Sequence, residues 1–170
     1  MKYGLVYPLK NLSNMKISVI GRGFVGNAIY SWFRNKQYDI KSYDKYGEYD
    51  SFESNLDSDF MFLCLPTPFS NEIKSYDYSA LHEVLNKLTK KEYKGTIIIK
   101  STTQPKTCLN LYHMYNLNII HNPEFLTART SEKDFAEQKH IVLGYTDTEE
   151  QIKEVKKLYS VSFPEAKISV

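Results

Sequence analysis

The segment Lys16 to Tyr30, KISVIGRGFVGNAIY, runs from a short β-branched stretch through Gly21, Gly23 and Gly26 into residues that suit a helix. The three stand at G-x-G-x-x-G spacing, and with only seven glycines in 170 residues, composition alone does not explain the pattern. Strand, glycine turn and helix in this order predict a dinucleotide-binding turn. Gly21 permits the tight turn, Gly23 lets a pyrophosphate approach the main chain, and Gly26 lets the helix pack close to the strand. Phe24 and Val25 complete the turn. A helix N-terminus offers unpaired N–H groups and about half a positive charge, so Arg22 is an optional aid to anion binding.

The second half of this pattern is an acid about 20 residues on, at the end of the next strand, where it meets the ribose hydroxyls and disfavours a 2′-phosphate. Asp44 fits, 23 residues after Gly21 and closing the segment YDIKSYD. Asp39 competes but stands at the start of that segment, on the wrong edge of a parallel sheet. NAD is therefore the expected cofactor, although Lys45 beside the acid bears on the choice against its phosphorylated form.

A chain of 170 residues suits one domain, here residues 15–170, with residues 1–14 read as an N-terminal extension. Its 22 basic and 20 acidic residues are interspersed, so no stripe argues for a nucleic-acid or membrane partner. The cluster Thr89 to Lys94 reads as a solvated helix end. Cys64, in an apolar strand, and Cys108, near a helix start, form neither a disulfide framework nor a metal-ligand spacing, which suits a reducing cytoplasm. No apolar run approaches the roughly 20 residues that cross a bilayer. The opening MKYGLVYPLK, interrupted by Pro8, lacks the pattern of a secretory signal.

Strands are expected at Lys16 to Ile20, Ile40 to Tyr43, Phe60 to Leu65, Thr96 to Lys100, Ile119 to His121 and Ile141 to Gly144. Leu81, Val84, Leu85 and Leu88 describe one amphipathic helix, and Ile152, Val155, Leu158 and Tyr159 another. The alternation predicts an α/β fold of Rossmann type, a doubly wound and mostly parallel sheet with helices on both faces. Ligands then bind beyond the carboxyl ends of the strands. Those ends carry Leu65-Pro66-Thr67-Pro68, Ser101-Thr102-Thr103-Gln104-Pro105 and Asn122-Pro123-Glu124, loops stiffened by proline and bearing hydrogen-bonding side chains.

The ordered segments KISVIGRGFVG, FLCLPTP, IIKSTTQPKT and HNPEFL resemble the N-terminal domain of the UDP-glucose/GDP-mannose dehydrogenases, over about residues 15–170. The resemblance implies oxidation of a nucleotide sugar's CH2OH to carboxylate by two hydride transfers to two NAD molecules, through an aldehyde held on a cysteine. It places Gly21 to Gly26 and Asp44 on the adenosine and pyrophosphate. Leu65 to Pro68, Ser101 and Thr102 then lie along the ribose and nicotinamide. Thr102 and Glu124 become the residues nearest the chemistry, Glu124 as the acid that assists water attack. Phe125 and Leu126, with Glu124, line the nucleotide sugar.

Two departures matter. Ala128 stands where the family usually has a glutamate, and the family's nucleophilic cysteine, partner lysine and aspartate, and central dimer-forming helix have no counterparts here. The chain is expected to be one piece of a larger enzyme, inactive alone, with no prediction of its oligomeric state. The alternatives are a free-standing NAD-binding module without turnover, or a short oxidoreductase acting on another hydroxy compound. The latter needs an activated base, for which His121 is the one candidate.

Overall fold

A computed structural model describes residues 15–72, 74–146 and 149–170, so the expected extension at residues 1–14 lies outside the described residues. Strand β1 (Lys16–Ile20) leads through the glycine turn into helix α1 (Phe24–Asn35), which returns to β2 (Asp39–Tyr43). A 3-10 turn at Glu53–Asp57 carries the chain to β3 (Phe60–Leu63). A two-residue hairpin, β4 (Phe69–Ser70) and β5 (Ser75–Tyr76), precedes α2 (Ser79–Lys90) and β6 (Thr96–Ile99). Then come α3 (Thr107–Tyr115), β7 (Ile119–His121), α4 (Ser131–Ala136), β8 (His140–Val142), β9 (Gly144–Tyr145), α5 (Glu149–Ser162) and β10 (Lys167–Ser169).

The main sheet has the order β2-β1-β3-β6-β7-β9. All its pairs are parallel except β7 with β9. Strand order reverses between β1 and β3, and this switch point opens a crevice at the carboxyl edge. The period-two alternation of strand side chains divides the core. Ile17, Val19, Phe62, Ile98 and Ile120 pack beneath α1 and α5, whereas Ile20, Met61, Leu63, Ile97 and Ile99 pack beneath α2 and α3. Both amphipathic stripes read from the sequence are buried as expected.

Two expectations shift. The strands expected to reach Leu65 and Lys100 end at Leu63 and Ile99. The Ser101 hydroxyl donates to the Leu65 carbonyl at 2.7 Å and accepts from its amide at 3.1 Å, replacing the next ladder pair with a side-chain clamp. The strand expected at Ile141 to Gly144 is split between two sheets. β8 pairs with β10, and β9 joins the main sheet. The Val142 carbonyl at the break is taken by the Asn122 side-chain amide.

Candidate functional site

The glycine turn has the geometry its spacing predicts. Gly21 adopts φ 95°, and a Cβ there would overlap the Cys64 carbonyl at the end of β3. A Cβ on Gly26 would overlap the Gly21 carbonyl and lie 3.2 Å from Val19. At Gly23 a Cβ would meet nothing within 4 Å, so that face is open. Gly23 is also the N-cap of α1, with no side-chain cap and no acid in the first turn. The helix therefore presents uncapped N–H donors beside an open surface.

Asp44, at the end of β2, completes this corner. Its Oδ2 accepts from the Arg22 amide at 2.8 Å and its Oδ1 from the Tyr46 amide at 2.9 Å. Each oxygen keeps a lone pair for a further donor. Asp39 pairs with Lys16 at the opposite edge, as expected of the rejected competitor. The Arg22 side chain turns back along the protein. Its guanidinium lies 3.8 Å from the Tyr30 ring centroid and 5.1 Å from that of Tyr49, with Nη1 donating to Ser42 and Nε to Asn27. An open turn, uncapped amides and an acid at the β2 end fit a dinucleotide.

The loops after β3, β6 and β7 share the carboxyl edge. Thr67 Oγ1 donates to the Thr102 carbonyl at 2.8 Å, tying the first two together and leaving the Thr102 side chain exposed. Pro66 and Pro68 are exposed, and Leu65 is half-buried. Glu124 Oε2 accepts from the Leu126 amide at 2.6 Å, holding the carboxylate within its own loop. Phe125 is 72% exposed, and Leu126 packs partly against the core.

Sequence reading passed over the cluster beneath Glu124. Lys100, at the end of an expected strand, is 4% exposed, and its Nζ donates to Asn122 Oδ1 at 3.0 Å. The Tyr159 hydroxyl donates to the same oxygen from α5. Burial pushes the Lys100 ammonium down to about 8, against opposing influences of Cys64 and Glu124. The available signal was a lysine closing the apolar run TIII, with an asparagine closing the next strand.

Neither cysteine is poised as a nucleophile. Burial pushes the Cys64 thiol up to about 12 and the Cys108 thiol up to about 11. His121 Nε2 lies 3.3 Å from the Thr103 hydroxyl, and burial followed by the Lys100 charge lowers its pKa.

Fold and glycine corner together define a Rossmann-type dinucleotide-binding domain. The model of the UDP-glucose/GDP-mannose dehydrogenase family, NAD binding domain, matches residues 46–162. The chain belongs to this family and carries its NAD-binding domain. Because the match starts beyond both Gly21 and Asp44, the corner and the family assignment are separate observations.

An uncharacterised protein of Methanocaldococcus jannaschii is 31% identical over 101 residues, 56% of this chain and 11% of that protein. A UDP-glucose 6-dehydrogenase of Haloferax volcanii is 26% identical over 76% of this chain and 41% of its own length. Among solved structures, a UDP-glucose dehydrogenase from Pyrobaculum islandicum superposes with TM-score 0.77 at 19% identity, covering 95% of this chain and 47% of that one. A GDP-mannose dehydrogenase from Pseudomonas aeruginosa gives TM-score 0.69 at 20% identity, over 91% and 45%. These structures share the fold. The chain spans less than half the length of each of these proteins. Among the described residues, no helix is long and apolar enough to cross a membrane, and no cluster of residues could hold a metal ion.

Proposed function

We propose that this chain is the cofactor-holding part of a nucleotide-sugar 6-dehydrogenase acting on a substrate of the UDP-glucose class. The observation that carries the reading is the hydrogen bond joining Asp44 to the glycine turn beside the open face of Gly23. In this reading Gly21 to Gly26 receive the pyrophosphate on uncapped amides and Asp44 receives the ribose hydroxyls. The segment Leu65 to Pro68, with Ser101 and Thr102, lines the way to the nicotinamide. Glu124, Phe125 and Leu126 face the sugar nucleotide, with Glu124 placed to take a proton from water. NAD, when bound, supplies the hydride acceptor. A 2′-phosphate would meet the Asp44 carboxylate as a like charge, so NAD is preferred over NADP.

Carrying an alcohol to a carboxylate through a covalently held aldehyde needs a thiolate, and burial keeps both thiols of this chain protonated near neutral pH. These 170 residues by themselves therefore bind cofactor without completing the oxidation. Unpaired, protonated thiols also suit a reducing cytoplasm. The test is calorimetric titration with NAD and NADP, followed by an assay for NADH with UDP- and GDP-sugars at saturating NAD. Tighter binding of NAD without turnover supports the reading. Equal affinities contradict the role of Asp44, and turnover abolished by Cys108→Ala contradicts the inactivity.

A further inference from the structure

Lys45 follows Asp44 directly in the chain, yet its ammonium turns to α2, where Nζ lies 3.6 Å from Glu83 Oε2. The other Glu83 oxygen accepts from Lys87 Nζ at 2.8 Å, one turn along the helix. Lys87 in turn lies 5.7 Å from the Phe52 ring centroid, and Phe52 packs edge-on against Tyr43 at the end of β2. The Glu83 carboxylate is thus held between two ammonium groups, and its contact with Lys45 joins the loop after β2 to the first half of α2.

Lys45 Nζ also lies 5.1 Å from the Tyr46 ring centroid, but Tyr46 is 86% exposed and belongs to the same loop. Glu83 is therefore the contact that ties Lys45 to the body of the fold. Tyr46 first and Glu83 after it raise the Lys45 pKa, while Lys87 first and Lys45 after it lower that of Glu83.

A lysine next to the ribose acid bears on the 2′ position. Its flexible four-carbon stem and three donors suit a phosphate, so a 2′-phosphate beside Asp44 would find in a free Lys45 the cation that offsets the Asp44 charge. Arg22 is held elsewhere, against the Tyr30 ring with Nη1 on Ser42 and Nε on Asn27. Paired with Glu83, Lys45 brings a second carboxylate to this corner in place of a free positive charge.

We propose that Glu83 is a positioning residue for cofactor choice, holding Lys45 on α2 so that its ammonium is withheld from a 2′-phosphate. The inference rests on the reading of Asp44 as the ribose acid and deepens it. Discrimination against NADP then comes from two carboxylates, Asp44 directly and Glu83 through Lys45. Both partners of the pair are about half-exposed, and such pairs are weak. Breaking this one leaves the fold intact and changes cofactor choice by a few-fold.

The experiment measures NAD affinity by calorimetry and NADP affinity by displacement of NAD, at low ionic strength where exposed charges are least screened. It compares the unsubstituted 170-residue chain with Glu83→Gln, Lys45→Gln and the double variant. Glu83→Gln is expected to bind NADP about three- to fivefold more tightly, with NAD affinity unchanged. The gain should vanish when Lys45→Gln is added, and should shrink at about 1 M salt. An equal gain without Lys45 would show direct repulsion by Glu83 and overturn the positioning role. A parallel gain for NAD also overturns it. NADP affinity unmoved by Glu83→Gln, with NAD still bound, overturns the proposal and leaves the cofactor reading standing. Absence of NAD binding by the unsubstituted chain would instead strike that reading.

Discussion

The glycine corner and the buried Lys100 lie on one sheet edge and present positive charge by opposite means. At the corner the donors are backbone amides, no side chain caps the helix, and Gly23 leaves its face open. At Lys100 the donor is a side chain, and a full charge is buried in the folded protein. Backbone donors lost to the helix are available at no extra desolvation cost, whereas a buried ammonium costs stability in the folded protein. The first device forgoes only the modest stability of a side-chain cap, and the second buries a charge.

The largest effect should come from Gly26→Val, which separates folding from binding within the corner. Its side chain must displace the Gly21 carbonyl, so we expect a loss of about 3 kcal/mol or more and a melting point lower by roughly 6 to 12 °C. A melt within a degree of the unsubstituted chain would show that α1 can shift freely.

Lys100→Met should act in the opposite direction. The folded pKa of about 8 lies below the ordinary 10.5, so at neutral pH the protonated lysine costs the fold on the order of 3 kcal/mol. Between these two values the folded state has released a proton that the unfolded state still holds, and stability rises with pH. Denaturant titrations should find the methionine variant more stable below pH 8, with its advantage shrinking toward pH 10.5. Asn122 keeps the Tyr159 hydroxyl in the variant, so its carbonyl is not orphaned. A constant difference across this range would place the cost elsewhere.

Asp44→Asn should weaken NAD by roughly ten- to a hundred-fold, the value of about 1.5 to 3 kcal/mol for hydrogen bonds to a charged group, and narrow the preference over NADP. Calorimetry with both cofactors checks it. Thr67→Val removes one hydrogen bond to the Thr102 carbonyl and should cost about 1 kcal/mol by chemical denaturation.

The contrast also explains what the sequence could reveal. Gly21, Gly23, Gly26 and Asp44 sit within 24 residues, and their constraint is steric, so spacing alone announces it. Leu81 to Leu88 and Ile152 to Tyr159 were equally readable, because burial on one helix face imposes a period. The division of Ile141 to Gly144 between two sheets was not, since it depends on Asn122 and on β10, far away in the chain. Lys100 and Tyr159 come from different elements, and neither carries a local pattern. Lysine after an apolar run reads as a strand end, and Tyr159 reads as one more apolar position on α5.

Melting the unsubstituted chain and Gly23→Val with and without NAD shows whether the open backbone at Gly23 carries cofactor binding. At about 100 times the dissociation constant, NAD should add about 2.7 kcal/mol to the unsubstituted chain and raise its melting point by roughly 5 to 11 °C. Because a Cβ there meets nothing, the valine variant should melt close to the unsubstituted chain without NAD and show no shift with it. An equal NAD shift in the two proteins would contradict the claim.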